Sequence, residues 1–347
     1  MSDLKHGPTR WIRSLIALAL ILPVPAFAFE EPQPFPYGGQ SESRWSGSVR
    51  TFFGQNNNVP IVPDQSFFQA VTEGTDDSAP FTGLQGAAQY LVLNRGGTRV
   101  GVAFAASYLY YFDSEEDANG NTLKRYNQLT SSAKAFASQA VPIFGRPGTI
   151  TASYTFRNES GPIEAIGAGT HTGQVGASVK MASDLVVNAG VAITGSRFDV
   201  VFPDPDLDDR SGKTVAFSVS GEKTLARDSR VIAGYDLTLN DANGSNFDYL
   251  GHRVKLRGEA PLTPVLWVSA EGAVNYRDYD GFQSDFVPPP GRQRQINYDL
   301  AASALWVISR TMQADFFINQ QFFTSNSAQF QADRRQIGVG VTRKFGG

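Results

Sequence analysis

The sequence predicts an all-β chain: a transmembrane antiparallel up-and-down β-barrel of about fourteen strands. Three observations lead there. An export signal opens the chain. The body alternates polar and apolar residues with a period of two, segment after segment. Every later apolar run is short or broken by polar residues, so none is suited to cross a bilayer as a helix. A mature chain that sits in a membrane without such a helix must close into a barrel, because only closure satisfies every backbone donor and acceptor in hydrocarbon.

Residues 1–28 read as a cleaved secretory signal. Lys5, Arg10 and Arg13 form the basic region, Leu15 to Leu22 the apolar region, and Ala26-Phe27-Ala28 the small-x-small cleavage site. The apolar run before Pro23 falls short of the roughly 20 residues that a membrane anchor needs. Residues 29–43 are rich in Pro, Glu and Ser and read as a flexible periplasmic lead-in, leaving 44–347 for the barrel. Loss of the signal removes three bases and Asp3 from the 30 Lys+Arg and 33 Asp+Glu, moving the formal net charge from −3 to −5. A mildly acidic chain is a poor partner for nucleic acid.

Composition agrees. Charged residues make up 18% and hydrophobic residues 41%, both below the averages of roughly 25% and 45–50% for soluble domains. A strand with one face in lipid and the other in a polar lumen is poor in both. The chain has no Cys, which excludes disulfides, thiolate metal sites and a lipid-modified N-terminal Cys.

The alternation is clearest in three stretches. In 185–194, Leu185, Val187, Ala189, Val191 and Ile193 share one face. In 266–277, Leu266, Val268, Ala270, Val274 and Tyr276 oppose Ser269, Glu271, Asn275 and Arg277. In 294–308, Ile296, Tyr298, Leu300, Ala302, Ala304, Trp306 and Ile308 oppose Gln295, Asn297, Asp299 and Ser303. The predicted strands lie near 44–55, 80–94, 98–112, 122–139, 148–158, 168–182, 185–198, 212–223, 229–240, 246–259, 264–279, 293–308, 312–324 and 329–345. The breaks alternate between short turns and mostly longer polar loops, which sets short periplasmic turns against outside loops and places both termini in the periplasm. A soluble β-sandwich also alternates, but these segments exceed its usual strands of five or six residues. The last strand closes on Phe345, similar to the signal that delivers outer-membrane proteins to the barrel assembly machinery. Outer-membrane lipids of a Gram-negative cell are the other expected partner.

The alternation also assigns a lumen. Arg253, Lys255 and Arg257 share one face of their strand, and Asp236, Glu271 and Arg277 join them from neighbouring strands. One reading is a charged wall that steers anionic or sugar-like solutes. The other is mutual pairing that fills and stiffens the barrel. The loop with Phe67 and Phe68 is the longest, and is read either as folding inward to narrow the pore or as surface. The run Asp204, Asp206, Asp208 and Asp209 has oxygen ligands for calcium but lacks the Gly and terminal Glu of an EF-hand, and reads as a solvated loop. No G-x-S-x-G, H-E-x-x-H or phosphate-binding Gly loop occurs, and His171 and His252 stand alone. No enzyme, cofactor or metal is expected.

Two stretches carry a family resemblance. The first strand runs into Phe53-Gly54-Gln55-Asn56-Asn57-Asn58-Val59-Pro60. The last hairpin reads Ser325-Asn326-Ser327-Ala328-Gln329-Phe330, then Arg334-Arg335 and Ile337 to Phe345. Both are similar to the C-terminal barrels of surface lipoprotein assembly modifier proteins and related barrels attached to tetratricopeptide repeats. The resemblance covers most of 44–347 and implies about fourteen strands. A Pro-rich stub stands where that family has its cargo-recruiting repeats, so the resemblance further implies either a translocation barrel served by a separate periplasmic partner or one that has lost that role. The expected function is transport of a polymer, lipoprotein or solute across the outer membrane. The alternatives are a passive diffusion pore and a structural or adhesive barrel that acts through its outer loops.

Overall fold

The computed structural model describes residues 44–59, 78–112, 122–161, 168–198, 209–280, 292–326 and 331–346. The signal, the lead-in, Phe67, Phe68, Asp204, Asp206 and Asp208 lie outside the described residues.

Among the described residues are fourteen strands: β1 (Trp45–Asn56), β2 (Ala79–Arg95), β3 (Thr98–Tyr111), β4 (Gln128–Ile143), β5 (Arg146–Ser160), β6 (Ala168–Ala182), β7 (Leu185–Phe198), β8 (Gly212–Thr224), β9 (Arg230–Ala242), β10 (Tyr249–Thr263), β11 (Leu266–Tyr279), β12 (Arg294–Val307), β13 (Met312–Ser325) and β14 (Ala332–Phe345). Each pairs antiparallel with its neighbours in sequence, and β1 pairs with β14, so no edge is left open. With 12 to 17 residues, the strands exceed the roughly 9–11 that a tilted strand needs to cross hydrocarbon.

The two faces separate as the pleat requires. Val49, Phe53, Leu84, Phe104, Val175, Ile193, Val254, Leu256 and Leu300 point outward and are exposed. An apolar belt of this extent is stable only against lipid, and the fold is a transmembrane barrel. Ser48, Arg50, Gln295, Asn297, Gln321 and Thr342 lie on the opposite, inward face.

Short hairpins join alternate strands. Gly96 and Gly97 both have positive φ at the β2–β3 turn, as a two-residue type I′ loop demands. The β4–β5 turn uses Phe144 (φ 51°) and Gly145 (φ 73°), and Phe144 is 97% exposed. A non-glycine side chain in left-handed backbone carries a conformational cost, and no protein group packs on this one among the described residues. Phe144→Asn gives the favoured Asn-Gly pair and is expected to raise stability by about 0.5–1 kcal/mol, read as a later urea midpoint for the folded barrel in micelles. An unchanged or earlier midpoint means that the ring has a contact of its own.

The largest departure from the predicted boundaries is at β4, which starts at Gln128 rather than near 122. Residues 122–127 precede β4 as a 3-10 turn at Leu123–Tyr126, and Leu123 is buried. Here the connection folds into the barrel, joining an apolar island of Phe52, Val59, Ala79, Phe81 and Tyr111, with Phe317 against it. Asn127 accepts the Tyr111 backbone N–H on Oδ1 at 2.8 Å, which anchors the turn to β3. The weak alternation of this stretch reflects a segment whose first residues are not strand.

Candidate functional site: the charged lumen

The inward faces of β8 to β11 carry a network of opposite charges. Arg230 at the start of β9 reaches Glu222 on β8 at 3.3 Å and Glu259 on β10 at 2.9 Å. Arg257 takes the other oxygen of Glu259 at 2.9 Å and approaches Glu271 on β11 at 3.8 Å. Lys255 lies 3.7 Å from Asp236. Register explains these meetings: Arg257 sits opposite Ile232 and Glu271, and Glu259 opposite Arg230 and Ser269. The Glu259 side chain is 7% exposed and holds two guanidinium groups. Lumenal charge in this half is largely neutralised from within.

Nearer the long connections the balance changes. Arg253 stands between Asp236 and Asn275, but Asp236 is the acid engaged by Lys255. Among the described residues Arg253 makes no ion pair, and its buried Nε has no hydrogen-bond partner. One step further along, the Arg277 guanidinium lies 5.1 Å from the Tyr249 ring centroid, and its buried Nη1 is also without a partner. The nearby acid Asp299 accepts hydrogen bonds from the amides of Asn275 (2.8 Å) and Gln321 (3.0 Å) instead. The two arginines therefore present donors that no carboxylate of the described wall saturates.

Across the barrel, Arg50 on β1 and Asp315 on β13 bridge over Gly340 of the intervening β14, with Nε–Oδ1 at 3.2 Å. A Cβ at Gly340 would meet both groups at about 2.9 Å, so the bridge requires glycine there. Phe52 and Phe317 flank the guanidinium at 5.1 and 5.2 Å. At the mouth, Arg210 stacks on Phe198 at 4.5 Å, and burial pushes its pKa down to about 10, so it stays cationic at neutral pH.

All six lumenal residues singled out from sequence lie on inward faces. The structure joins Lys255 to Asp236 and Arg257 to Glu271, and among the described residues leaves Arg253 and Arg277 without an ion pair. Sequence reading missed Arg230 and Glu259, which tie the network together. Glu259 shares the parity of Arg253, Lys255 and Arg257, and that signal was available. Phe345 faces outward with Arg343 at 5.7 Å from its ring. Asp209 is committed within its loop: partial burial pushes its carboxyl up, and hydrogen bonds from Asn243 and Ser211 outweigh this and hold it below its ordinary value. Among the described residues, no group of three or more His, Asp or Glu could hold a metal ion.

A closed barrel with an apolar outer face and a charged lumen is the architecture of outer-membrane β-barrels. No protein-family model matches the sequence, and no curated protein does. Among solved structures, the chain is similar to OmpT, an outer membrane protein of Vibrio cholerae, at 10% identity and TM-score 0.44 over 87% of this chain and 96% of that one. It is also similar to OccAB3 of Acinetobacter baumannii, at 9% identity and TM-score 0.44 over 88% and 100%. An anion-selective porin from Comamonas acidovorans gives 11% and 0.45 over 88% and 100%. At such identities the likeness is one of barrel architecture alone.

Proposed function

We propose that this chain crosses an outer membrane, with its short hairpins and termini in the periplasm, and conducts small polar solutes with a preference for anions. The observation that carries the reading is the surplus of lumenal cation at Arg253 and Arg277. Asp236, Glu259 and Glu271 are engaged by other bases, and Asp299 by amides. A fixed, unneutralised guanidinium in a narrow aqueous path attracts anions and repels cations. Delivery of the barrel to the membrane would use the terminal strand β14 and Phe345, read by the barrel assembly machinery.

The test is conductance of the mature chain in planar bilayers under a salt gradient. A steady current with an anion-directed reversal potential is expected. Arg253→Ala together with Arg277→Ala should cut the anion-to-cation permeability ratio about threefold or more, the size of one unit charge acting across ~6 Å of water. A folded barrel with cation preference, or no response in the double variant, sinks the anion reading.

A second reading has its own support. The segment at Asn56 to Val59, part of the resemblance to assembly-modifier barrels, folds against the inner wall. Asn56 is fully buried, Asn58 donates to the Asp333 carbonyl at 2.7 Å, and Arg334 reaches both Asn56 and the Tyr111 hydroxyl. Together with Leu123, these residues fill one side of the lumen. A translocation barrel that waits for a periplasmic partner would be narrow in this way, and would carry no current alone.

A further inference from the structure

We propose that the outward face of β6 to β8, at the end bearing the long connections, binds the phosphate of a phosphorylated lipid in the surrounding leaflet. Three outward-facing glycines, Gly169, Gly173 and Gly195, leave a groove there: a Cβ at any of them would meet nothing within 4 Å. Register places His171, Gly195 and Lys213 in one row across the three strands, and puts Arg197 beside Gly169. With strands ~4.8 Å apart, the glycine opens a notch about one side chain wide between the imidazole and the ammonium.

Among the described residues, Arg197 and Lys213 make neither an ion pair nor a side-chain hydrogen bond. Asp241 on β9 is the register partner of Lys213, yet the two form no ion pair. Two other outward cations do find an acid: Lys223 lies 4.0 Å from Asp184, and Arg294 lies 3.8 Å from Asp278. Cations on the lipid-facing rim that make no ion pair are open to an anion from the lipid itself, and phosphate gives charge-assisted hydrogen bonds to both side chains. Directly below the notch, exposed Val175, Ile193 and Phe217 offer an apolar surface for acyl chains. Charge above and oil below match the two ends of a lipid.

His171 is held in place. The Tyr154 hydroxyl lies 2.6 Å from its Nδ1, and the Phe156 ring is 4.9 Å away. With that hydroxyl donating, the ring keeps its proton on Nε2 and serves as a third donor. His252 on β10 repeats the arrangement, with the Tyr235 hydroxyl 2.7 Å from Nδ1. Its neighbours in register are Leu237 and Tyr276, with no glycine and no cation, so it provides a control on the same barrel.

The experiment is native mass spectrometry of the mature barrel in non-ionic micelles, titrated with diphosphoryl lipid A. Lipid A stripped of phosphate and inorganic phosphate serve as the comparison ligands. The wild-type barrel is expected to retain the phosphorylated lipid. Arg197→Ala with Lys213→Ala should weaken retention about tenfold or more. Gly195→Leu, which keeps both charges and fills the notch, should weaken it too, and His252→Ala should not. Retention unchanged in the double variant, with heat-modifiable mobility showing a folded barrel, overturns the proposal. So does equal retention of the stripped lipid. Displacement by millimolar inorganic phosphate would make this a site for free anions and overturn the lipid assignment.

Discussion

Gly54→Ala is expected to destabilise the barrel by about 3 kcal/mol, at the upper end of overpacking costs. A Cβ at Gly54 would meet the carbonyl oxygen of Ile337, the Phe81 ring at 2.7 Å and the Cα of Gly338 at 3.0 Å. Two of these three are backbone atoms of β14, the strand that closes the barrel on β1. Backbone yields only if the seam opens, and an opened seam leaves a row of N–H and C=O groups unpaired in lipid. Gly83→Ala makes the instructive comparison. There the crowding atoms are all in the Phe52 ring, a side chain that can be shortened. Phe52→Leu should therefore rescue Gly83→Ala in part, whereas no side-chain change should rescue Gly54→Ala. Urea unfolding in micelles, followed by heat-modifiable mobility, reads both. A Gly54→Ala barrel with the wild-type midpoint would mean that the seam has slack that this packing does not show.

The same seam explains why glycine and aromatic residues lie together on the inner wall. Phe81 covers Gly54, Phe52 covers Gly83 and Phe317 covers Gly338, with Phe52 and Phe81 edge to face at 6.0 Å. Each ring fills the space of a missing side chain on the next strand, so the wall stays thin where Arg50 must reach Asp315 across Gly340.

Most of the barrel could be read from the chain because its signal is local. A period of two in Leu185 to Ile193 or Ile296 to Trp306 reports two environments directly. The turns could be read as well, since Gly96-Gly97 and Ser183-Asp184 leave little room for error. β4 was the largest exception, since Leu123 belongs to a turn buried inside the barrel and interrupts the pattern. Lumenal partners were harder to place. Parity assigns Arg257 and Glu271 to one face, but which residues meet depends on register, and a slip of one residue would turn a strand inside out. Short hairpins fix register between β10 and β11. Between β9 and β10 the chain passes through a 3-10 turn at Ser245–Phe247 rather than a tight two-residue hairpin, so register there is set only by the finished sheet, and the pairing of Arg230 with Glu259 was not legible. The notch between His171 and Lys213 is harder still, because its defining feature, the empty space at Gly195, is an absence in sequence.

The second large effect concerns Glu259. Glu259→Ala should cost about 3 kcal/mol or more, because it leaves two guanidinium groups partly buried with one acid each, Arg230 on Glu222 and Arg257 on distant Glu271. It should also make the current more anion-selective, since one negative charge is lost from the lumen while both arginines keep theirs. Glu259→Gln separates the two effects. The amide keeps the shape and can accept a hydrogen bond, so most of the stability should return while the selectivity shift remains. Pairing Glu259→Ala with Arg230→Ala should recover part of the loss, with a coupling energy of about 1.5–3 kcal/mol in a double-mutant cycle, within the range for groups in one network. Coupling near zero would mean that the 2.9 Å contact between Arg230 and Glu259 contributes little, and that Arg257 alone accounts for the burial of the carboxylate. Unchanged selectivity in Glu259→Gln would place the conducting path away from β8 to β11, toward the wall of Arg157 and Lys134 on the inward faces of β5 and β4.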